Sequence, residues 1–170
     1  MESLTVHLAT AESVDTAELA ALAARTFPLA CPHGTDPDDV AAFVGANLSA
    51  QRFAEYLADP GRAVLTACRD GRIVGYAMLV RDPTGDTAEL SKMYVAPDHH
   101  GAGVAAALMD LALATARRWG VRRLWLGVNQ KNLRAQRFYA KSGFAFDGTR
   151  TFRVGGRLED DYLMARELRG

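Results

Sequence analysis

Two stretches of this 170-residue chain carry residue types at spacings that suit chemistry. The first is Ala96-Pro97-Asp98-His99-His100-Gly101-Ala102-Gly103-Val104-Ala105. Its glycines lie between a strand-like run and a long helical run, where backbone N–H groups can converge without side-chain obstruction. The helix start adds positive potential, so the segment suits a pyrophosphate or another anion. The second stretch is Asn132-Leu133-Arg134-Ala135-Gln136-Arg137-Phe138-Tyr139-Ala140-Lys141-Ser142-Gly143-Phe144. It reads as a short amphipathic helix with Ala135, Phe138 and Tyr139 on one face and Lys141 as a solvated cation. A dinucleotide fingerprint also fits the first stretch, as Gly101-x-Gly103-x-x-Ala106. That fingerprint requires an early strand–helix–strand unit and an acid about 20 positions on. No acid occurs between Asp110 and Asp147 and the loop lies past mid-chain, so the dinucleotide reading is set aside.

The elements around these stretches follow from periodicity. Residues 4–9 alternate as a first strand. Glu12 to Phe27 is helical through Leu19, Leu22, Ala23 and Phe27, and Pro28 to Gly34 should break it. Asp36-Pro37-Asp38-Asp39 starts a second helix, with an acidic cap, proline in the first turn and acids at the positive end of the dipole. Ser49 caps a third, closed by Asp59-Pro60-Gly61. Ala63–Cys68 and Ile73–Val80 are strands around the tight-turn pair Asp70-Gly71. Ala88–Val95 is a strand, Gly103–Trp119 a helix closed by Gly120, and Leu124–Val128 a buried strand. Asn132–Ser142 is helical. Phe144–Phe152 and Asp161–Leu168 are late strands joined by a turn at Gly155-Gly156-Arg157. The expected fold is therefore α/β (α+β): one domain over residues 1–170 with a central mixed, mostly antiparallel twisted sheet flanked by helices.

The segment His100-Gly101-Ala102-Gly103-Val104-Ala105 resembles the Q/R-x-x-G-x-G/A signature of the Gcn5-related N-acetyltransferase (GNAT) superfamily. It departs from the signature at His100, where glutamine or arginine is usual. The second stretch resembles the family's N-x-x-A-x-x-F-Y-x-K-x-G-F segment, matched by Asn132, Ala135, Phe138, Tyr139, Lys141, Gly143 and Phe144. The likeness covers residues 62–168. Leu124–Val128 with Lys131-Asn132, and Asp161-Tyr162-Leu163-Met164, further resemble bacterial polyamine acetyltransferases of the PaiA type.

This resemblance implies acetyl-CoA as co-substrate and transfer of its acetyl group to a primary amine in a ternary complex. The acceptor would be a polyamine, another small amine, or a peptide or protein amine. His100, Gly101, Ala102, Gly103, Val104 and Ala105 would hold the pyrophosphate. The backbones of Met93 and Val95 would meet the pantetheine arm, and Asn132 and Tyr139 would complete the cofactor site. Such a transfer needs a neutral amine, a donor for the developing oxyanion and a proton for the departing thiolate. Glu89, the one carboxylate on its strand, is the implied base, acting directly or through water. Tyr139, whose phenol ordinarily has a pKa of about 10, is the implied acid. A non-catalytic acyl-CoA sensor on the same fold is the alternative; it has no need of Tyr139. Dimers are common in the family, so a homodimer is among the implied assemblies.

Composition bounds the rest. Hydrophobic residues make up 49% and charged residues 24%, as in ordinary globular proteins. Net charge is zero, yet residues 1–60 carry nine acids against Arg25 and Arg52, for −7, and the remainder carries +7. An acidic first third and a basic remainder suit ligands of opposite sign. With the resemblance, this implies that Asp36, Asp38, Asp39 and Glu55 would attract a cationic acceptor and that Lys131, Arg134 and Arg137 would lie near the anionic cofactor. No basic cluster is interleaved with aromatics, so nucleic acid is not an expected partner. No apolar run suits a membrane and no secretory leader is visible, so the cytoplasm is the expected location. Cys31 and Cys68 lack metal-ligand spacing, and adjacent His99 and His100 rarely face one ion, so no metal is expected.

Overall fold

The computed structural model describes residues 3–101, 103–154 and 157–168. In chain order the elements are β1 (Thr5–Leu8), α1 (Thr16–Ala30), α2 (Pro37–Asn47), α3 (Ala50–Ala58), β2 (Arg62–Arg69), β3 (Arg72–Arg81), β4 (Thr87–Val95), a short 3₁₀ turn (Pro97–His99), α4 (Val104–Arg118), β5 (Arg123–Asn129), α5 (Leu133–Lys141), β6 (Ala145–Val154) and β7 (Arg157–Glu167). They build one seven-stranded sheet in the order β1-β2-β3-β4-β5-β7-β6. Every neighbouring pair is antiparallel except β4 with β5.

Apolar clusters cover both faces of the sheet. Leu65, Leu79, Leu90, Leu124, Leu126 and Met164 pack beneath Leu108 and Ala112 of α4. On the other face, Val64, Tyr76 and Met78 pack against Leu19 and Phe27 of α1 and Phe53 of α3. β2 and β3 are therefore buried on both sides, and they read as nearly continuous apolar runs. The β2–β3 hairpin turns at Asp70 (φ 56°) and Gly71 (φ 73°), the two positive-φ positions that the Asp-Gly pair announces.

Three boundaries differ from expectation. Helix α1 starts at Thr16, not Glu12, because the Asp15 carboxylate accepts from the N–H groups of Ala17 and Glu18. It also runs through Pro28 to Ala30. Proline forfeits only its own bond to the preceding turn, and in the last turn that loss is small; the Cys31 N–H closes the end on the Pro28 carbonyl at 3.3 Å. Strand β6 spans Ala145–Val154 and β7 begins at Arg157, four residues before the expected Asp161. Gly155 and Gly156 of the expected turn lie outside the described residues.

Candidate active site

The site grows from the one parallel pair. β4 and β5 pair only where Thr87, Ala88 and Glu89 face Arg123, Leu124 and Trp125. Beyond those residues β4 stays on β3 and β5 stays on β7, so the two strands part and their inner edges open. Ser91 is an extra residue in β4: Met78 faces Lys92, whereas Leu79 faces Leu90. Such a bulge bends its strand and unpairs one residue.

The opened edge faces the glycine loop. The Ala96 N–H donates to Val74 on β3 at 2.8 Å. Backbone groups alternate sides along a strand, so those of Val95 and Met93 point into the wedge. His100 reaches the Val95 carbonyl from that side, with Nε2 at 3.0 Å. A carbonyl only accepts, so Nε2 carries the hydrogen, and Nδ1 is left to accept from Arg134 Nη1 at 2.9 Å. The imidazole thus ties β4 to α5 at the position where the sequence departs from the family signature.

Gly101 (φ 78°) and Gly103 (φ 81°) both lie in the left-handed region. A Cβ at either would meet nothing within 4 Å, so conformation and not space selects glycine there. Gly103 caps α4, and the first helical bond runs from the Ala107 N–H to its carbonyl at 3.0 Å. The N–H groups of Val104, Ala105 and Ala106 precede that ladder and fan toward the loop. The first turn of α4 settles on the sheet because β3 offers a glycine: a Cβ at Gly75 would lie 3.0 Å from Val104 Cγ1. Ala102 lies outside the described residues. His100, Gly101, Gly103, Val104, Ala105, Met93, Val95, Asn132 and Tyr139 all line one cleft of about 450 Å³.

A second cavity, of about 330 Å³, opens on the α1–α3 face of the sheet. Met93, Tyr94, Asn132, Ala135 and Tyr139 line both spaces, so the two adjoin at α5. Phe27 and Phe43 stack at 4.6 Å to form an aromatic wall, with Tyr94 edge-on to Phe27 at 6.4 Å. The floor is charged. Glu89 of β4, and Asp161 and Glu159 of β7, line it together with Lys92 and Arg150. Asp161 and Glu159 are buried. Arg150 Nε lies 3.3 Å from Asp161 Oδ2, and its Nη1 lies 3.6 Å from Glu89 Oε2. Burial pushes the Asp161 carboxyl up from its ordinary range, and Arg150 pulls it back. Burial, seconded by Arg62, pushes the Lys92 ammonium down.

Asn132 caps α5 by accepting from the Ala135 N–H at 3.1 Å while facing both spaces. Tyr139 is wedged between Phe138 and Phe144, at 5.5 and 6.1 Å. Its hydroxyl has no protein hydrogen-bond partner among the described residues. Burial pushes its pKa up to about 12. Glu89 is half-buried and shares the second cavity with Tyr139.

The charges expected around the acceptor are elsewhere. Among the described residues, Asp36, Asp38, Asp39 and Glu55 do not line the second cavity. Asp36 caps α2, Asp38 and Asp39 sit in its first turn, and Glu55 pairs with Arg52 at 2.8 Å. The basic residues divide: Arg134 borders the cleft, and Lys131 and Arg137 do not. Arg150, Glu159, Asp161 and Lys92 were not singled out from the sequence. A signal existed in Leu158–Met164, where alternation places Glu159 and Asp161 on one face of a strand bound for the sheet interior. Among the described residues no three His, Cys, Asp or Glu side chains gather as a metal ion would need.

Among the described residues the mixed sheet splits at its one parallel pair, and a glycine-capped helix starts at the split. The chain belongs to the acetyltransferase (GNAT) family, which it matches over residues 18–144. It is 66% identical over 154 residues, 91% of this chain and 98% of the other, to an uncharacterised N-acetyltransferase of Mycobacterium tuberculosis. The PaiA N-acetyltransferase of Thermoplasma acidophilum, solved with coenzyme A, superposes with a TM-score of 0.82 over 97% of this chain and 99% of that one, at 18% identity. A nourseothricin acetyltransferase structure is 30% identical over 65% of this chain and 68% of its own, with a TM-score of 0.61.

Proposed function

We propose that the chain transfers the acetyl group of acetyl-CoA to a primary amine by direct attack in a ternary complex. The observation that carries this reading is the adjoining of two spaces at Tyr139, one walled by backbone donors and the other by carboxylates and aromatics. The residues fit the co-substrate. The N–H groups at the start of α4, with Arg134 held by His100, suit its phosphates, and the open β4 edge at Met93 and Val95 suits an extended amide-bearing arm. Acetyl-CoA would supply the acyl group activated as a thioester.

Within this reading Glu89 takes the proton from the acceptor ammonium, directly or through water, so that a neutral amine attacks. The wedge-facing N–H groups of β4 serve as donors where negative charge develops. Tyr139 keeps its proton throughout the neutral range, because its pKa of about 12 lies far above it. The proton is therefore in place when the sulfur departs, and a phenol this weakly acidic yields it only as negative charge builds on the sulfur. The acceptor class is a primary amine: a polyamine, another small amine or a peptide amine. The cytoplasm is the proposed location, where free thiols such as Cys31 and Cys68 persist.

Thiol release from acetyl-CoA, measured against a panel of amines, tests the reading. Release that requires an amine supports transfer; tight acetyl-CoA binding with no release for any amine would make the chain a sensor. The role of Glu89 is tested by the pH–rate profile of Glu89→Gln. Loss of the acidic limb is expected, and its retention would remove Glu89 as the base.

A further inference from the structure

Arg150 stands on β6, an edge strand of the sheet, yet it lines the acceptor cavity. It reaches inward past Asp161 on β7 and over the Trp125 ring of β5, 5.7 Å from the ring centre, to Glu89 on β4. The path exists because β5 carries glycine beneath it: a Cβ at Gly127 would lie 2.7 Å from Arg150 Cζ. A surface strand has no packing reason to send a cation across two neighbours into a cavity. What the cation does there is electrostatic. Among the described residues, three carboxylates, Glu89, Glu159 and Asp161, and two cations, Arg150 and Lys92, line the cavity. With all five ionised, one negative charge remains, enough for one ammonium group.

We propose that Arg150 is a specificity-determining residue, an internal counter-ion that leaves the acceptor cavity room for one ammonium group and disfavours acceptors that present two. This rests on the reading of the cavity as the amine site and narrows its acceptors away from polyamines. Removing Arg150 exposes a second unit of negative charge at Glu89 and Asp161, which a dication exploits and a monocation of the same length does not. Lysine in its place keeps the charge but not the forked contact with both carboxylates.

Calorimetric titration of the full chain, with CoA present, against n-butylamine and 1,4-diaminobutane tests the inference at fixed pH and ionic strength. Wild type should bind n-butylamine at least as tightly as 1,4-diaminobutane. Arg150→Gln should shift the affinity ratio toward the diamine by about tenfold, the size expected for one unit charge in a partly solvated cavity. Arg150→Lys should hold the ratio near that of wild type. A mere strut would weaken both amines alike and leave the ratio unchanged, which would overturn the proposal. So would a wild type that prefers the diamine, or binds neither amine. If Arg150→Gln does not fold, the wild-type ratio and Asp161→Asn decide; the latter should move the ratio toward the monoamine. Amine binding with the expected ratios but no acetyl transfer would refute the catalytic reading and leave Arg150 as assigned. Transfer with a ratio indifferent to Arg150 would do the reverse.

Discussion

The glycine-loop cleft and the charged cavity adjoin at Tyr139 but are built from different materials. The cleft is mainly backbone: the N–H groups at the start of α4, two glycines at positive φ, and the free edge of β4. Its parts come from residues 93–106 and 132–139, with Thr26, Leu29 and Ala30 of α1 beside them. The cavity is side chain, and its charged floor is gathered from β4, β6 and β7, with aromatic walls from α1 and α2. Backbone donors cannot be altered by ordinary substitution, so the first region suits a group that every family member must bind. Side chains can be exchanged one at a time, so the second can differ from one acceptor to the next.

The contrast can be broken most strongly at the shared residue. Tyr139→Phe should lower kcat by roughly 10- to 10³-fold, the span for losing a general acid, with acetyl-CoA affinity little changed. Steady-state kinetics with calorimetry check this, and wild-type turnover would remove Tyr139 as the acid. A sharper cut falls on the acceptor side alone. Gly127→Val drives a side chain into Arg150 and should raise the amine KM by about tenfold or more, the usual scale of overpacking costs. An unchanged KM would show that Arg150 has somewhere else to go.

Stability should respond to alkali. Burial raises the pKa values of Tyr76, Tyr94 and Tyr139. The unfolded chain then ionises these phenols first, so their contribution is full below about pH 10 and is lost as pH rises through the folded values, about 12 for Tyr139. The urea midpoint should hold level to pH 9 and fall between pH 10 and 12; a flat midpoint would contradict the burial of all three. The smallest effect belongs to the surface. The described acids of residues 1–60 do not line the cavity, so the amine KM should rise only about twofold between 50 and 300 mM salt, as screening of distant charges allows. A steeper rise would restore those acids as an acceptor funnel.

The same contrast explains what the sequence disclosed. Gly101, Gly103 and Asn132 act through local backbone and cap geometry, which neighbouring residues determine, and they read directly. Asp70-Gly71 and Asp36-Pro37 read for the same reason. Arg150 did not, because its role depends on β6 lying outside β7 and on a glycine more than twenty residues earlier; nothing local marks either. Glu159 and Asp161 were obscured by taking β7 to start at Asp161, which cut the alternation that places both on one face. The acids of α2 were misjudged for the opposite reason: charge bias was visible, but caps and exposed first turns accounted for it.

Acetyl-CoA titrated by calorimetry into wild type, Gly103→Val and Gly127→Val tests the division between the two regions most directly. Valine at positive φ costs about 1–2 kcal/mol, so Gly103→Val should bind roughly tenfold more weakly. Gly127→Val should bind acetyl-CoA within twofold of wild type. Equal losses in both variants, or none in Gly103→Val, would contradict a backbone-built cleft that is separate from the acceptor cavity.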